Sequence, residues 1–376
     1  MSEFDAGPAG RIERVRALMA ERGYDAIVVR DEANLRWLTG VKGVFDYTFE
    51  FPHAAFITAG QCLFHTDSRY LNSFEENTSA GSPWVYDMDE GTIPGWVAGK
   101  IAANKCRVCA VEDDMQINFY QGIQRGLEDR SVACMLPLMH DDIRKMRAIK
   151  DAEEIELMRH AQSITDAAFQ HMLGYIKPGM TEKQVRNELE NFMFANGADS
   201  LAFGSIVASG PNTANPHAVP SDRVIEKGDF VLMDYGAGYC DYRSDMTRTV
   251  VMGEPTQEQL DLYALVRRTH EECVAAIHPG VEGNDIFKLS KKIIGDAGYG
   301  DYYNHGLGHG VGIDIHELPN FNRSKNIIEV GSVITMEPGV YLPGVGGVRL
   351  EDYGVVTENG YEPFTKTPHD LHVIDC

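Results

Sequence analysis

The pentapeptide Ile176-Lys-Pro-Gly-Met180 returns as Ile277-His-Pro-Gly-Val281, 101 residues further along. Helical runs flank both copies, and the runs that follow them end at Asn196-Gly197 and Ala297-Gly298, again 101 apart. An H-x-x-P segment comes next in each copy, at His217 to Pro220 and at His316 to Pro319. GDFVLMDYG (228–236) then aligns with GSVITMEPG (331–339) at an offset of 103, which sets Asp234 on Glu337. Four such echoes in one order, each on a helix, turn or strand, predict a duplicated unit and a pseudo-twofold domain. The site of such a domain is expected where its halves meet.

At about 150 residues per domain, the 376 residues allow two or three domains. The reading settles on two, α+β in class: a small α/β domain over 1–140 and a longer domain over 141–376 that holds the repeat. In the first, Arg11 to Arg22 carry a helical apolar pattern, Gly23 closes it, and Tyr24 to Val29 form a strand. HAAFITAG (53–60) and CLFHTD (62–67) read as a hairpin, and CRVCAVE as a later buried strand. Its histidines and carboxylates show no recurring ligand spacing, so a structural role is expected. From Asp141, DDIRKMRAIKDAEEIELMRHAQSITDAAFQHML reads as a linker followed by a long amphipathic helix.

The balance of 34 basic against 56 acidic side chains gives a formal charge of −22. Nucleic acid and anionic membrane are therefore not expected partners, because both need a basic footprint. MSEFDAGPAGRIERVRALM lacks the apolar run of a secretory leader, and no later stretch of about twenty apolar residues predicts a spanning helix. The seven cysteines are scattered without a disulfide framework. Cys106 and Cys109 form a C-x-x-C, but on a strand they are expected on opposite faces, as buried thiols. A reducing cytoplasm is the expected compartment.

The chemistry concentrates in the repeat. Asp234 ends the apolar run FVLM, and Asp245 follows in YRSDMTRTV, read as the returning strand of a hairpin across Gly236 to Gly238. Glu337 ends VITM in the same way, and Glu351 follows a glycine-rich turn in GGVRLED. Four carboxylates in one cleft need cations or shared protons. Two divalent ions about 3.5–4 Å apart meet that need, and an oxygen-rich set with one imidazole suits manganese, cobalt, iron or zinc. The imidazoles lie in NHGLGHGVGIDIHELP, where His305 and His309 share a face if the segment is a strand, and His316 returns after a bend. HELP lacks the second histidine of H-E-x-x-H, so that zinc motif is absent. Asp241 reads as a solvated turn residue, and the glycines do not match a nucleotide-binding loop.

At these residues the chain resembles the pita-bread metallopeptidases, the family of methionine aminopeptidase, aminopeptidase P and prolidase. The resemblance rests on GPNTANPHA, MDYGAGYCDYRSDMTRTV, HGLGHGVGIDIHE, TMEPGVYLPGVGGVRLED and the link RAIKDAEEI, and it covers 141–376. The N-terminal domain is similar to the creatinase/prolidase type, which favours the X-prolyl branch. The resemblance implies two divalent metal ions, manganese foremost, with Asp245 and Glu351 bridging them. Asp234 is then a ligand of one ion, and His309 with Glu337 of the other. It implies substrate-contacting or supporting roles for His217, His305 and His316, a carboxylate-orienting role for Arg349, and proton transfer by Glu337. It further implies a homodimer and a small peptide substrate with an N-terminal Xaa-Pro, a dipeptide slightly preferred over a longer chain. Creatinase- or ectoine-hydrolase-like cleavage of a small C–N bond is the alternative activity, and a non-catalytic interaction protein the alternative class. Asp241-Tyr242-Arg243 departs from the family's pattern before Ser244-Asp245, where relatives often carry glycine-tyrosine and a small residue, and is expected to alter only the pocket edge.

Overall fold

Two compact units, Met1–Arg147 and Ala148–Cys376, make up the computed structural model, which describes residues 7–42, 52–88, 91–322 and 325–376. The division falls seven residues beyond the expected 140/141 break. The reason is local: helix Asp142–Arg147 belongs to the first unit, where Arg147 Nη1 donates to Asn34 Oδ1 at 2.8 Å and Arg144 Nη2 to Asp31 Oδ2 at 3.1 Å.

In the first unit α1 (Gly7–Arg22) buries Ile12, Val15 and Met19, one face at helical spacing. It leads through Gly23 into β1 (Ala26–Val29) and α2 (Glu32–Thr39). The expected hairpin forms as β2 (Ala54–Thr58) and β3 (Cys62–His65), paired antiparallel. There follow α3 (Leu71–Asn77), β4 (Trp84–Asp87), α4 (Ile93–Ala103), β5 (Cys109–Val111), α5 (Ile117–Asp129) and α6 (Asp142–Arg147). The sheet runs β4-β3-β2-β1-β5. The expectation for the C-x-x-C is corrected here. Only Cys109 enters β5, Cys106 precedes it, and both thiols are buried in one core with Val28, Phe56 and Ile101. The seven cysteines, all among the described residues, form no disulfide.

The second unit opens with α7 (Ala152–Tyr175), begun by a capping box between Asp151 and Glu154, and α8 (Glu182–Ala195), begun by one between Thr181 and Gln184. Strands β6 (Ser200–Leu201), β7 (Ile206–Ser209), β8 (Phe230–Tyr235), β9 (Ala237–Tyr239), β10 (Tyr242–Arg243) and β11 (Met246–Met252) complete the first half. The second half repeats it with α9 (Gln257–Ala275), α10 (Gly283–Asp296), β12 (Gly308–Gly310), β13 (Glu317–Phe321), β14 (Val333–Met336), β15 (Gly339–Leu342), β16 (Gly346–Arg349), β17 (Asp352–Thr357) and β18 (Gly360–Pro363). A short β19 (Val373–Ile374) closes the chain. The two main sheets run β19-β11-β8-β7 and β13-β12-β14-β17-β18. Within them β7-β8-β11 and β12-β14-β17 are matching antiparallel triplets.

The repeat extends to single backbone bonds. Gly179 N donates to Ile225 O at 2.9 Å, and Gly280 N to Ile328 O at 2.7 Å. Gly228 N donates to Met252 O at 2.6 Å, and Gly331 N to Val356 O at 2.8 Å. Gly228 and Gly331 have φ of 88° and 90°, a conformation that glycine adopts without steric cost. One antiparallel bridge, Thr247 to Glu351, joins the halves. Apolar side chains such as Phe169, Leu189, Met233 and Val250 pack α7 and α8 onto the first sheet, and Cys273, Ile286, Ile334 and Val356 do the same in the second half. Among the described residues no helix is long and apolar enough to cross a membrane.

The hairpin between Asp234 and Asp245 does not turn at Gly236 to Gly238. Ala237 and Gly238 enter β9, and the chain reverses at Cys240 and Asp241, with φ of 47° and 71°. Gly236 serves close approach instead, since a β-carbon there would strike the Ser244 carbonyl oxygen.

Candidate metal centre

Strand geometry delivers the acidic groups to one place. Asp234 is the penultimate residue of β8 and pairs with Thr247 on β11, while Asp245 immediately precedes β11. In the second half Glu337 follows β14, and Glu351 lies between β16 and β17. The bridge from Glu351 to Thr247 brings the two sets together. They line a cavity of about 350 Å³ with His217, His305, His309, His316 and Arg349, so all nine expected site residues meet there. Phe203, Ile206, Pro216 and Ile315 supply apolar walls.

Ligand atoms of Asp245, His309 and Glu351 lie within 4.8 Å of one another. His309 Nε2 is 3.6 Å from Asp245 Oδ2 and 3.5 Å from Glu337 Oε1. His309 Nδ1 lies 3.0 Å from the Gly310 carbonyl, a contact that requires its proton on Nδ1 and turns the Nε2 lone pair to the carboxylates. Burial pushes His309 down to about 4, with the neighbouring His316 adding to the shift, so the ring is neutral at pH 7. Burial acts oppositely on the acids. It raises Asp245 well above the carboxylate range, with Asp234 and Glu337 adding like charge. Glu351 is raised for the same reasons, burial first and then the Asp245 and Glu337 charges. Glu337 is pushed up to about 8 by burial, against the pull of Arg349.

Arg349 is the fixed cation of the centre. Its Nη2 lies 2.5 Å from Asp234 Oδ2, Nε donates to Thr247 Oγ1 at 3.0 Å, and Nη1 to Tyr341 OH at 2.8 Å. Asp234 Oδ1 is buried with no hydrogen-bond partner. A lone pair left bare inside a ring of raised carboxylates suits a cation. The donor set of four carboxylates and one imidazole fits hard or borderline divalent ions.

The histidines divide in kind. His305 is not on the strand with His309, since β12 starts only at Gly308. Its Nδ1 lies 2.6 Å from Gly306 O and its Nε2 3.0 Å from Tyr341 OH, so both nitrogens are engaged. Burial drives His305 down to about 3. His316 reaches back to His309 with ring centroids 4.3 Å apart, as the expected bend requires. His217 and His316 are the exposed ones. Glycines at 308 and 310 permit this crowding, because β-carbons there would strike the carbonyls of Thr335 and Leu318.

Three supporting residues were not read from the sequence. Thr247 Oγ1 donates to Glu351 Oε2 at 2.7 Å; its position two residues after Asp245, on the same side of a strand, was a usable signal. Tyr341 joins His305 to Arg349 from the facing strand of the β15–β16 hairpin. Glu182 accepts from Ser209 N at 2.7 Å and Ser221 N at 2.9 Å, pinning both ends of the segment that carries His217; an acid in a helix's first turn gave no hint of it. Asp241 is half-buried rather than solvated. Arg243 of the departing tripeptide donates from Nε to Ile313 O at 2.8 Å, bracing the segment before His316.

The model of metallopeptidase family M24 matches residues 156–358, and that of the creatinase/prolidase N-terminal domain matches 11–149. The Xaa-Pro dipeptidase of Pyrococcus horikoshii is 42% identical over 369 residues, covering 96% of this chain and 98% of its own length. Among solved structures, the Xaa-Pro dipeptidase from Bacillus anthracis is similar with a TM-score of 0.89 and 36% identity, covering 98% of this chain and 100% of that one. The X-Pro aminopeptidase from Thermotoga maritima is similar with a TM-score of 0.85 and 30% identity, covering 97% and 100%. With its two domains, its pita-bread fold and its acidic cavity, the chain belongs to metallopeptidase family M24 and carries that family's creatinase/prolidase N-terminal domain.

Proposed function

We propose that this chain hydrolyses the Xaa-Pro bond of short peptides, dipeptides foremost, as a divalent-metal-dependent exopeptidase. The observation that carries the reading is the convergence of Asp234, Asp245, His309, Glu337 and Glu351 on one cavity. Asp245 and Glu351 would bridge two ions, Asp234 would hold one, and His309 with Glu337 the other. Manganese is the first candidate, with cobalt, zinc and iron compatible with the same donors. When bound, such ions supply Lewis acidity and a nucleophile drawn from water near neutral pH.

The chain's own groups do the rest. Arg349 fixes Asp234 through the 2.5 Å contact and, through Tyr341, the ring of His305. Glu337, which lines the cavity, would pass a proton towards the leaving proline nitrogen, which as a tertiary amide has no N–H of its own. The exposed His217 and His316 are open to the substrate's carbonyl and to a carboxylate beyond the proline. A carboxylate met by an imidazole at that end favours the dipeptide. The dipeptidase relatives support this preference, while the Thermotoga maritima aminopeptidase supports the longer-peptide reading. The five-residue ligand set and the relatives' names favour a peptidase over a creatinase- or ectoine-hydrolase-like enzyme. The working form is a homodimer in a reducing cytoplasm, where its cysteines, none of them in a disulfide, stay reduced.

The test is hydrolysis of Gly-Pro or Ala-Pro beside an X-Pro-Y tripeptide, after chelation and after restoring manganese, cobalt or zinc. Metal-restored cleavage, faster on the dipeptides, is expected. Cleavage of neither class would overturn the assignment.

A further inference from the structure

A second group of metal-ligand atoms lies outside the cavity. Asp352 follows Glu351 directly, yet alternation along the strand turns it away from the cavity, which it does not line. Facing it are His270 of α9 and His369 of the segment after β18, and ligand atoms of these three lie within 4.8 Å of one another. His369 Nε2 is 2.5 Å from Asp352 Oδ2, and His270 Nε2 is 3.6 Å from the same oxygen. The two rings stand at 74° with centroids 4.8 Å apart. Arg248 occupies only the other oxygen, donating from Nη2 to Asp352 Oδ1 at 2.7 Å.

His270 is the unexplained member. Its side chain is 1% exposed, and neither ring nitrogen has a hydrogen-bond partner. Burial keeps the ring neutral, so one nitrogen offers a lone pair that nothing uses. A buried imidazole aimed at a carboxylate but beyond hydrogen-bond distance from it is the spacing that an interposed ion requires. Metal–ligand bonds of about 2.0–2.2 Å at tetrahedral angles set donor atoms about 3.3–3.6 Å apart. The His270 to Asp352 separation is already close to this. His369 would have to move back by about 1 Å to match, and with its side chain 26% exposed it is free to do so. Glu271 Oε1, which accepts from Arg267 Nε at 2.8 Å, lies 4.0 Å from His369 Nδ1, beyond hydrogen-bond distance.

We propose that His270, Asp352 and His369 form a further site for a single borderline divalent ion of the zinc, cobalt or nickel class. Two imidazoles and one carboxylate select such ions over magnesium and calcium. The fourth position opens to solvent on the His369 side, where water completes a tetrahedron. The site is separate from the five-residue centre but adjoins it in the chain, since Asp352 follows Glu351. Arg248 donates to Glu351 O at 2.7 Å as well as to Asp352, so occupancy of one site bears on the backbone of the other.

The test counts zinc on the full-length protein. Metal-stripped wild type, His369→Ala and His270→Gln are equilibrated with micromolar Zn²⁺, and bound ions are counted by native mass spectrometry and elemental analysis. Wild type should carry one more equivalent than either variant. The same loss of one equivalent should appear when Asp245→Asn and His309→Ala have disabled the other centre. His369 is half-exposed, so circular dichroism of His369→Ala should remain native and that variant decides if His270→Gln fails to fold. Equal zinc counts in wild type and His369→Ala, in both backgrounds, would overturn the proposal.

Discussion

Replacing Arg349 with methionine keeps most of the side chain's bulk and removes the guanidinium that lines the acidic cavity. At 2.5 Å from Asp234, two unit charges attract by about 7 kcal/mol at an effective dielectric of about 20. Desolvation of both groups offsets much of this, and breaking a buried pair from one side costs about 3–5 kcal/mol. The metal-stripped protein should lose that much, because Asp234, Asp245, Glu337 and Glu351 are left with no cation among them. The metal-loaded protein should lose less. Bound ions take over the neutralisation, leaving the hydrogen bonds to Thr247 and Tyr341, at about 0.5–1.5 kcal/mol each. Urea denaturation of both proteins, with chelator and with manganese, measures the difference directly. Activity should also fall, on the order of 100-fold, if Asp234 shifts by about 1 Å. Equal losses with and without metal, or a loss below about 1 kcal/mol in chelator, would refute the electrostatic role given to Arg349.

In the metal-stripped protein the raised Asp245, Glu337 and Glu351 bind protons more tightly than in the unfolded chain. The contribution of Glu337 is therefore fully present below its unfolded value of about 4.3 and is lost as pH rises towards about 8, and Asp245 and Glu351 act in the same direction. Melting curves from pH 5 to 8 should show this decline in chelator and its suppression by manganese. Calorimetry in buffers of different ionisation enthalpy should show proton release on metal binding, and a flat profile would count against the shared-charge reading. Asp245→Asn or His309→Ala should lower metal-dependent hydrolysis by about 10³-fold or more with native circular dichroism, and retained turnover would remove them from the ligand set. Glu182→Gln should free the 209–221 segment, at a cost of about 2–3 kcal/mol, and raise KM more than it lowers kcat; unchanged hydrogen exchange there would exclude the anchoring role.

The repeat and the convergent carboxylates were legible because both are written in local sequence, as turn glycines and as acids ending apolar strands. The backbone path was harder to read. A glycine marks a turn or a close approach with equal force, and Gly236 answers to the second while the turn falls on Cys240 and Asp241. His305 and His309 looked like strand neighbours by even spacing, but β12 spans three residues and His305 reaches the cavity from a bend. Tyr341 and Glu182 act through hydrogen bonds to groups 36 and 27 residues away. Such partners have no spacing signature. The same holds for His270 and His369, which are 99 residues apart in sequence and meet only across the folded domain.

The bridge from Thr247 to Glu351 has a meaning for assembly. Asp234 and Asp245 belong to one half of the repeat, while His309, Glu337 and Glu351 belong to the other. A chain whose halves have each folded but not docked holds two incomplete coordination spheres, neither able to keep an ion tightly. Metal affinity is then gained only in the docked state, and stabilisation by RT ln(1 + [M]/Kd) acts on that step alone. Free metal concentration thus becomes a selector for correctly joined halves, and a protein cut between Met252 and Gln257 should reassemble from its two pieces when the ions are supplied and drift apart when they are withdrawn.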